Sequence, residues 1–352
     1  MAISIAIPSL SGGGAEKVTL LLIQELIRAG NVSKVYVGRQ CEESLALDCE
    51  VVHLRGYRSS ESILNFIKAV RRDPADTYLL TLGYVNFAAA LRLLHPRANI
   101  VLRIGNTIGP EIAALSPFAK FRYMTSLRLS IEAATQIVTQ CTYMADDLKL
   151  HFRGYEDKIG VIYNPIEPHL ASWATDGTSP VEGPYIFVAA SFKPQKDFGT
   201  LLAGFACSRN SRKRRLVVAG VSPTDTAFRD LMALYSLNES QVLCLGSCKN
   251  VYDYVLNAEL CVLSSIYEGF SNFLLEGAAL GKRIIATDSP GGNMELFTHY
   301  QNATTFPVGD YKRLAELLEL PRCDLPRQEA LSSLVPFSFD TFKDKFESVL
   351  RI

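Results

Sequence analysis

The feature that most constrains the fold of this chain is a regular alternation of short β-rich runs with segments of helical periodicity. It begins with "ISIAI" at residue 3, passes through a glycine cluster, and reaches a segment with an apolar stripe from Ala15 to Ala29. Strands joined by helices favour a parallel sheet, because antiparallel neighbours need only a short turn between them. The further strand candidates before residue 165 are "KVYVG" at 34, "TYLLTL" at 77, "NIVLRI" at 99, "TQIVTQ" at 135 and "KIGVIYN" at 158. Residues 1–165 are therefore predicted to form one doubly wound α/β domain.

A break in this alternation separates the first domain from a second one. The segment "NPIEPHLASWATDGTSPVEGP" at 164 is rich in Pro, Gly, Ser and Thr, and it predicts a linker over residues 166–184. A second α/β domain is predicted over residues 185–335, with strand candidates "YIFVAA" at 185, "RRLVVAG" at 214, "QVLCLG" at 241, "ELCVLSS" at 259, "KRIIATD" at 282 and "ATTFPVG" at 303. Residues 336–352 are predicted to form a closing helix, capped by Ser338, that packs back on the first domain.

Composition excludes several classes of protein. The chain has 36 basic and 36 acidic residues, so its net charge does not favour a dedicated nucleic-acid binder. The start "MAISIAIPSL" has no basic leader region, and no apolar run approaches the roughly 18 residues of a membrane helix. Eight cysteines and five histidines occur without the spacing of a metal site. We expect a soluble cytoplasmic protein with reduced thiols and no metal.

A glycine cluster follows the first predicted strand, in "SLSGGGAEKV" at residue 9. Gly12, Gly13 and Gly14 would let the backbone approach a ligand and would direct free N–H groups of the following helix toward an anion. The spacing is not that of the dinucleotide fingerprint G-x-G-x-x-G. A tight turn in which the glycines serve only the path of the backbone explains the same residues equally well.

Two glutamates stand in the otherwise small and apolar stretch "YEGFSNFLLEGAALGKR" at residue 267. The preceding strand is predicted to end near Ser265, and Ser271 is predicted to cap a short helix that Gly281 ends. Glu268 then lies in the loop and Glu276 in the helix, eight residues further on. Both carboxylates can border one pocket at the amino end of the helix, where unpaired N–H groups favour phosphate.

These segments, with "FKPQKDFGTLLAGF" at 192, resemble the family 4 glycosyltransferases over nearly the whole chain and in the same order. The resemblance implies the GT-B architecture, two Rossmann-like domains that face each other across a cleft. It also implies metal-independent transfer, with retention of configuration, of a hexose or N-acetylhexosamine from a nucleotide sugar, UDP being the expected carrier. No cofactor is expected beyond this donor, and the acceptor is a saccharide.

Site roles follow from the same resemblance, residue by residue. It implies that Glu268 contacts the donor sugar, that Glu276 binds the ribose hydroxyls and that Lys196 neutralises the diphosphate. It further implies backbone contacts to the donor from Gly13, Gly14, Phe270, Ser271 and Asn272, and a base-facing role for "CKNVYDYVLNAE" at 248. A lysine and a helix N-terminus can stabilise the charge of the departing diphosphate without a metal ion.

The chain departs from the family pattern at two positions. Ser191 stands where members commonly have an arginine, and we expect Lys193 or Arg103 to supply the missing positive charge. Gly105 stands where many members have a histidine near the reacting sugar, and Arg103 and Asn106 are the candidates for that corner. A strand-end arginine and a turn asparagine without a ligand explain these two residues equally well.

The segment "SPFAKFRYMTSLRLS" at residue 116 mixes aromatic and basic side chains. It could rest on an anionic membrane surface, although such stripes are more often the core-facing side of a helix with a solvated edge. The resemblance implies a lipid-linked saccharide acceptor of bacterial surface polysaccharide or glycolipid synthesis. It therefore also implies peripheral contact with the inner face of the cytoplasmic membrane.

Two other functions fit the same architecture. Ser191 and Gly105 would suit a catalytically silent GT-B protein that binds a saccharide or activates another transferase. A sugar-nucleotide epimerase would act on the donor alone. Glu268 and Glu276 together favour the transferase, because a silent scaffold has no physical use for buried carboxylates.

Overall fold

The computed structural model describes residues 3–10, 14–38, 47–54, 59–170, 179–209, 213–248 and 250–352. The chain divides into two compact units, Met1–Pro165 together with Asp340–Ile352, and Ile166–Phe339. The residues that the sequence assigns to a linker, 166–184, are thus counted with the second unit where they are described. No helix in the described ranges is both long and apolar enough to cross a membrane.

The first unit contains a seven-stranded parallel sheet. Its strands are β1 (Ile3–Ile7), β2 (Val32–Val37), β3 (Glu50–His53), β4 (Thr77–Thr81), β5 (Asn99–Arg103), β6 (Gln136–Thr139) and β7 (Ile159–Val161). Their order in the sheet is β3-β2-β1-β4-β5-β6-β7. The helices are α1 (Gly14–Arg28), α2 (Ser59–Arg72), α3 (Ala88–Leu94), α4 (Ile108–Ala113), α5 (Pro117–Ala133) and α6 (Thr142–His151). Every residue of β1, β4 and β5 is buried, as expected for the central strands of a parallel sheet.

The second unit contains a six-stranded parallel sheet. Its strands are β8 (Tyr185–Ala189), β9 (Arg215–Ala219), β10 (Val242–Gly246), β11 (Leu260–Leu263), β12 (Ile284–Thr287) and β13 (Ala303–Phe306), in the order β10-β9-β8-β11-β12-β13. The helices are α7 (Phe198–Cys207), α8 (Thr226–Leu234), α9 (Val251–Asn257), α10 (Asn272–Ala279), α11 (Asn293–His299), α12 (Tyr311–Leu318) and α13 (Arg327–Ser333). The predicted α/β class with two parallel sheets is confirmed.

The last helix, α14 (Phe339–Leu350), begins directly after Ser338 and, from Asp340 onward, belongs to the first unit. The Asn99 side-chain amide donates to the Val349 carbonyl oxygen at 3.1 Å, and the Lys343 ammonium lies 2.8 Å from a carboxylate oxygen of Glu25. The side chains of Phe342, Phe346 and Leu350 on this helix are buried. Residues far apart in sequence therefore complete the core of the first unit.

Candidate functional site

The carboxyl ends of β8 and β11 lie side by side, because these strands are parallel neighbours in the second sheet. After β8 the chain makes a single 3-10 turn, Pro194–Lys196, that Asp197 ends in the left-handed conformation with φ 41° and ψ 57°. The Asp197 carboxylate accepts from the backbone N–H of Thr200 at 3.1 Å and from its hydroxyl at 2.6 Å, so it caps α7. Lys196 is therefore fixed in position between a tight turn and a capped helix.

Hydrogen bonds fix this turn to the loop that follows β11. The Ser264 hydroxyl donates to the Lys196 carbonyl oxygen at 2.9 Å. Gln195 makes two hydrogen bonds to this loop, each 2.8 Å long. Its backbone carbonyl accepts from the Ile266 N–H, and its side-chain amide donates to the Tyr267 backbone carbonyl. The two segments, about 70 residues apart in sequence, therefore form one structure at the edge of the sheet.

A buried ion pair stands at the centre of this structure. The Lys196 ammonium and the Ser265 hydroxyl each lie 2.5 Å from Oε1 of Glu268, whose residue is only 5% exposed. The ammonium compensates the buried carboxylate, which would otherwise carry a large desolvation cost. Among the described residues no donor binds the other oxygen, Oε2. The sequence named Lys196 and Glu268 as site residues but did not predict that they pair.

The loop that follows β12 is hydrogen-bonded to the backbone of Glu268 and Gly269. The Glu268 N–H donates to the Pro290 carbonyl at 2.9 Å, and the Gly292 N–H donates to the Gly269 carbonyl at 2.8 Å. Between them Gly291 has φ +132°, and a Cβ there would lie 1.9 Å from the Glu268 carbonyl oxygen. This loop was not predicted from the sequence, although the run Pro-Gly-Gly shortly after a strand is a turn signal.

The helix that follows Glu268 has the predicted boundaries. The Ser271 hydroxyl accepts from the Leu274 N–H at 3.3 Å and caps α10, which begins at Asn272. Gly281, with φ +75°, lies just beyond its carboxyl end, as predicted for a helix-ending glycine. The buried ring of Phe270 packs against that of Phe337, with centroids 5.5 Å apart. The predicted donor contacts of these backbone groups stay predictions.

Glu276 lies on α10 and is partly buried. The hydroxyl of Tyr252, on α9, donates to its Oε1 at 3.2 Å. Burial, and then the nearby carboxylates of Glu276 and Glu167, raises the pKa of Tyr252, so the phenol stays protonated and able to donate. The family resemblance implies a base-facing role for the segment that contains Tyr252, but Tyr252 itself was not singled out from the sequence.

The proposed second cations differ in their exposure. Lys193 is exposed and opens the same turn, because its carbonyl accepts from the Lys196 N–H at 2.9 Å. Arg103 is only 1% exposed, and its guanidinium donates to Thr19 at 3.3 Å and to Asn164 at 2.8 Å. Burial lowers the pKa of Arg103 to about 10, so it stays a cation at neutral pH. Arg103 is therefore closed off from solvent at the end of its strand, and its predicted contact with the donor stays a prediction.

The other candidates in the first unit are less enclosed. The Asn106 side-chain amide donates to Glu111 at 2.9 Å, and the Tyr123 hydroxyl donates to the second oxygen of the same carboxylate at 3.0 Å. Glu111 was not singled out from the sequence. Gly14 is the first residue of α1, whereas Gly13 lies outside the described residues.

Across the ranges that the structure describes, no group of three or more His, Cys, Asp or Glu side chains is placed to hold a metal ion.

Comparison with known proteins agrees with this geometry. Residues 172–321 match the family described as Glycosyl transferases group 1. Among curated proteins, the chain is 24% identical over 310 residues to the Campylobacter jejuni N-acetylgalactosamine-N,N'-diacetylbacillosaminyl-diphospho-undecaprenol 4-alpha-N-acetylgalactosaminyltransferase. The aligned region covers 84% of this chain and 83% of that protein.

Two solved structures show the same fold over the full length. Sucrose-phosphate synthase from Thermosynechococcus elongatus has a TM-score of 0.84 at 16% identity, covering 100% of this chain and 98% of that one. Anabaena HepE in complex with UDP-glucose has a TM-score of 0.80 at 16% identity, covering 100% and 99%. Residues 172–321 are thus similar to the group 1 glycosyltransferases, and the likeness to the two solved structures supports the predicted GT-B fold class.

Proposed function

We propose that this protein is a retaining glycosyltransferase that moves a hexose or N-acetylhexosamine from a UDP-sugar to a saccharide acceptor. The observation that carries the proposal is the cluster of Lys196, Ser265 and Glu268 at the carboxyl edge of the second sheet, directly before the amino end of α10. Ligands of open α/β sheets bind at this edge. A buried carboxylate with one oxygen that accepts from no described residue is suited to accept from a sugar hydroxyl.

The two glutamates have different proposed roles. Glu268 accepts hydroxyl donors of the sugar through Oε2, while the Lys196 ammonium holds Oε1 in a fixed direction. Glu276 accepts from the ribose hydroxyls, and Tyr252 orients its carboxylate. The first contact is made at the reacting sugar and the second at the nucleotide, so the two residues serve turnover and binding respectively.

The leaving diphosphate is stabilised by positive charge near the same edge. Lys196 supplies a formal charge, and the free N–H groups at the start of α10 supply partial charge. Together they perform the task that a metal ion performs in other transferases, so transfer is expected to continue in EDTA. An acceptor hydroxyl attacks the anomeric carbon as the bond to the diphosphate breaks. Its proton passes to the leaving phosphate on the same face.

A lipid-linked saccharide is the proposed acceptor. The name of the Campylobacter jejuni relative describes transfer to a saccharide on diphospho-undecaprenol, and that relative and this chain align over 84% of this chain. Such an acceptor is confined to a membrane. We therefore place the protein at the inner face of the cytoplasmic membrane, in surface polysaccharide or glycolipid synthesis.

Substitution of the two glutamates tests the donor site. In Glu276→Ala we expect the Kd of UDP to rise by about ten- to a hundredfold, because a charged hydrogen-bond partner contributes roughly 1.5–3 kcal/mol. In Glu268→Ala we expect an unchanged Kd for UDP and a turnover lower by about a hundredfold. Thermal-melting shifts with UDP and UDP-sugars report binding. UDP release reports turnover, and the anomeric proton of the product reports configuration.

Glu329→Ala, at an exposed position, is the matched control. Equal and mild effects of the two site substitutions would contradict these roles. If UDP and UDP-sugars fail to stabilise even the unsubstituted protein, the silent saccharide-binding alternative replaces the transferase.

Lys193 is proposed as the second cation, in place of the arginine that Ser191 replaces. Its side chain is exposed in the same turn as Lys196, so it can approach a bound diphosphate. In Lys193→Ala we expect the Kd of UDP to rise by about fivefold, whereas Lys312→Ala, exposed on α12, leaves it unchanged. Titration at two salt concentrations measures both effects. An identical Kd for both variants would exclude a role for Lys193.

A further inference from the structure

Two polar side chains in the loop that follows β12 are buried without a hydrogen-bond partner. Ser289 and Asn293 are each only 1% exposed. Within the part of the chain that the structure describes, neither the Ser289 hydroxyl nor either polar atom of the Asn293 side-chain amide makes a hydrogen bond. Burial of an unpaired polar group is costly, and most buried polar groups in native proteins have a partner. These two residues therefore need an explanation beyond the packing of the loop.

The buried hydroxyls next to this loop do have partners. The Thr287 hydroxyl donates to the Ser265 carbonyl at 2.6 Å, and the Ser265 hydroxyl lies 2.5 Å from Oε1 of Glu268. Both hydroxyls belong to residues that are fully buried. The fold thus satisfies the groups that support the Glu268 carboxylate, and the unbonded groups of Ser289 and Asn293 are a local feature of the loop.

The loop lies directly against the segment that carries Glu268. Between Ser289 and Asn293, the Pro290 carbonyl accepts from the Glu268 N–H at 2.9 Å, and the Gly292 N–H donates to the next residue of that segment at 2.8 Å. Two adjacent glycines form the centre of the loop, and glycine has the widest choice of backbone conformations. The two unbonded side chains therefore stand at either end of a short glycine loop, beside the carboxylate that is proposed to bind the sugar.

The chemistry of these groups favours a hydroxylated ligand over an anionic one. The Asn293 amide offers a donor and an acceptor, the Ser289 hydroxyl offers both, and Oε2 of Glu268 can only accept. A sugar hydroxyl both donates and accepts, so it can bond to all three. A phosphate would place its charge against the oxygens of Asn293 and Glu268, and the Lys196 ammonium is already paired with Glu268. The matching ligand is the ring of a neutral sugar.

We propose that Ser289 and Asn293 are specificity-determining residues that bind hydroxyl groups of the transferred sugar beside Glu268. Both side chains are covered in the conformation described, so the loop shifts when the sugar enters. The shift breaks no hydrogen bond of either side chain, and the sugar then supplies the partners that they lack. The proposal rests on the proposed function, because it adds contacts to the same donor sugar.

Urea denaturation separates this role from a structural one. In Ser289→Ala and Asn293→Leu we expect a denaturation midpoint no lower than that of the unsubstituted protein, because neither change removes a hydrogen bond of the unliganded fold. Thr287→Val is the contrasting variant, since it removes a buried bond of 2.6 Å, and we expect it to lower the midpoint. Ser289→Ala also removes only one oxygen atom, so it cannot fail through overpacking.

The binding measurement compares UDP with UDP-glucose, UDP-galactose, UDP-N-acetylglucosamine and UDP-N-acetylgalactosamine. The sugar that raises the Tm of the unsubstituted protein most is used for titration. In Asn293→Leu we expect the Kd of this UDP-sugar to rise by about tenfold, and in Ser289→Ala by about threefold, with the Kd of UDP unchanged in both. Ser332→Ala, at an exposed position of α13, is the matched control and leaves both constants unchanged.

The outcomes distinguish this proposal from the proposed function. An unchanged Kd of the UDP-sugar in both variants overturns the proposal, while the transferase stands. A lower urea midpoint with equal rises in the Kd of UDP and of the UDP-sugar also overturns it, because that pattern belongs to a structural role. If neither UDP nor any of the four UDP-sugars stabilises the unsubstituted protein, the proposed function itself fails, and this proposal fails with it.

Discussion

Lys196→Ala is expected to lower transferase turnover by about a hundred- to a thousandfold, because one side chain serves two purposes. Its ammonium is the proposed charge for the leaving diphosphate, and it also holds Oε1 of Glu268 at 2.5 Å. Without it, the Ser265 hydroxyl is the one side-chain donor that the buried Glu268 carboxylate keeps among the residues that the structure describes. We expect the free energy of unfolding to fall by roughly 2 kcal/mol, less than for a fully enclosed pair, since the lysine side chain is partly exposed.

Two measurements check this expectation. UDP release from the UDP-sugar gives turnover, and urea denaturation gives the free energy of unfolding. Lys196→Arg keeps the charge and is expected to recover most of the stability but only part of the turnover, because a guanidinium cannot repeat the geometry of an ammonium. Turnover in Lys196→Ala within threefold of the unsubstituted protein, on the order of 0.7 kcal/mol in activation free energy, would remove Lys196 from the proposed mechanism.

Gly291→Ala is the substitution with the largest expected effect on stability. Its φ of +132° strains any side chain, and the new Cβ would lie 1.9 Å from the Glu268 carbonyl oxygen, which is backbone and cannot rotate away. The loop must therefore move, and the hydrogen bond from the Glu268 N–H to the Pro290 carbonyl moves with it. We expect a loss of roughly 3–4 kcal/mol in the free energy of unfolding. Turnover is expected to fall as well, because the displaced backbone carries Glu268.

Gly309→Ala is the matched control for this glycine. Its φ is +82°, but nothing lies within 4 Å of the added Cβ, so only the backbone strain remains. We expect a loss of about 1 kcal/mol and normal turnover. Urea denaturation gives the loss in free energy of unfolding for both variants, and the difference between the two losses measures the effect of the steric clash apart from backbone strain. Equal losses in the two variants would mean that the contact between Gly291 and Glu268 does not restrict the loop.

Most of the fold could be predicted from local signals. The alternation of apolar runs with helical stripes is a property of short windows, and it specified both sheets because parallel strands need long connections. β3 was missed because Glu50–His53 is four residues long and forms an edge with exposed end residues. Such a strand carries no apolar run that could distinguish it from a loop.

The sequence allowed individual residues of the candidate site to be named, but not the contacts between them. Glu268 and Lys196 followed from motifs, yet their pairing joins positions 72 apart and depends on β8 and β11 being neighbours. Tyr252 and Gly291 were missed for the same reason, since each acts on a glutamate that only the folded sheet brings near. The burial of Arg103 was also unpredictable, because a polar residue at a strand end is exposed or enclosed according to what packs over it.

The division of the chain has a consequence for the order in which the protein is made. The first unit is interrupted in sequence, because Asp340–Ile352 returns to it only after the whole of Ile166–Phe339. During synthesis on the ribosome the second unit is therefore complete before the first. The core of the first unit also contains the rings of Phe342 and Phe346, which are synthesised last. A nascent chain released at Pro165 would therefore lack the part of the interior of the first unit that Asp340–Ile352 supplies.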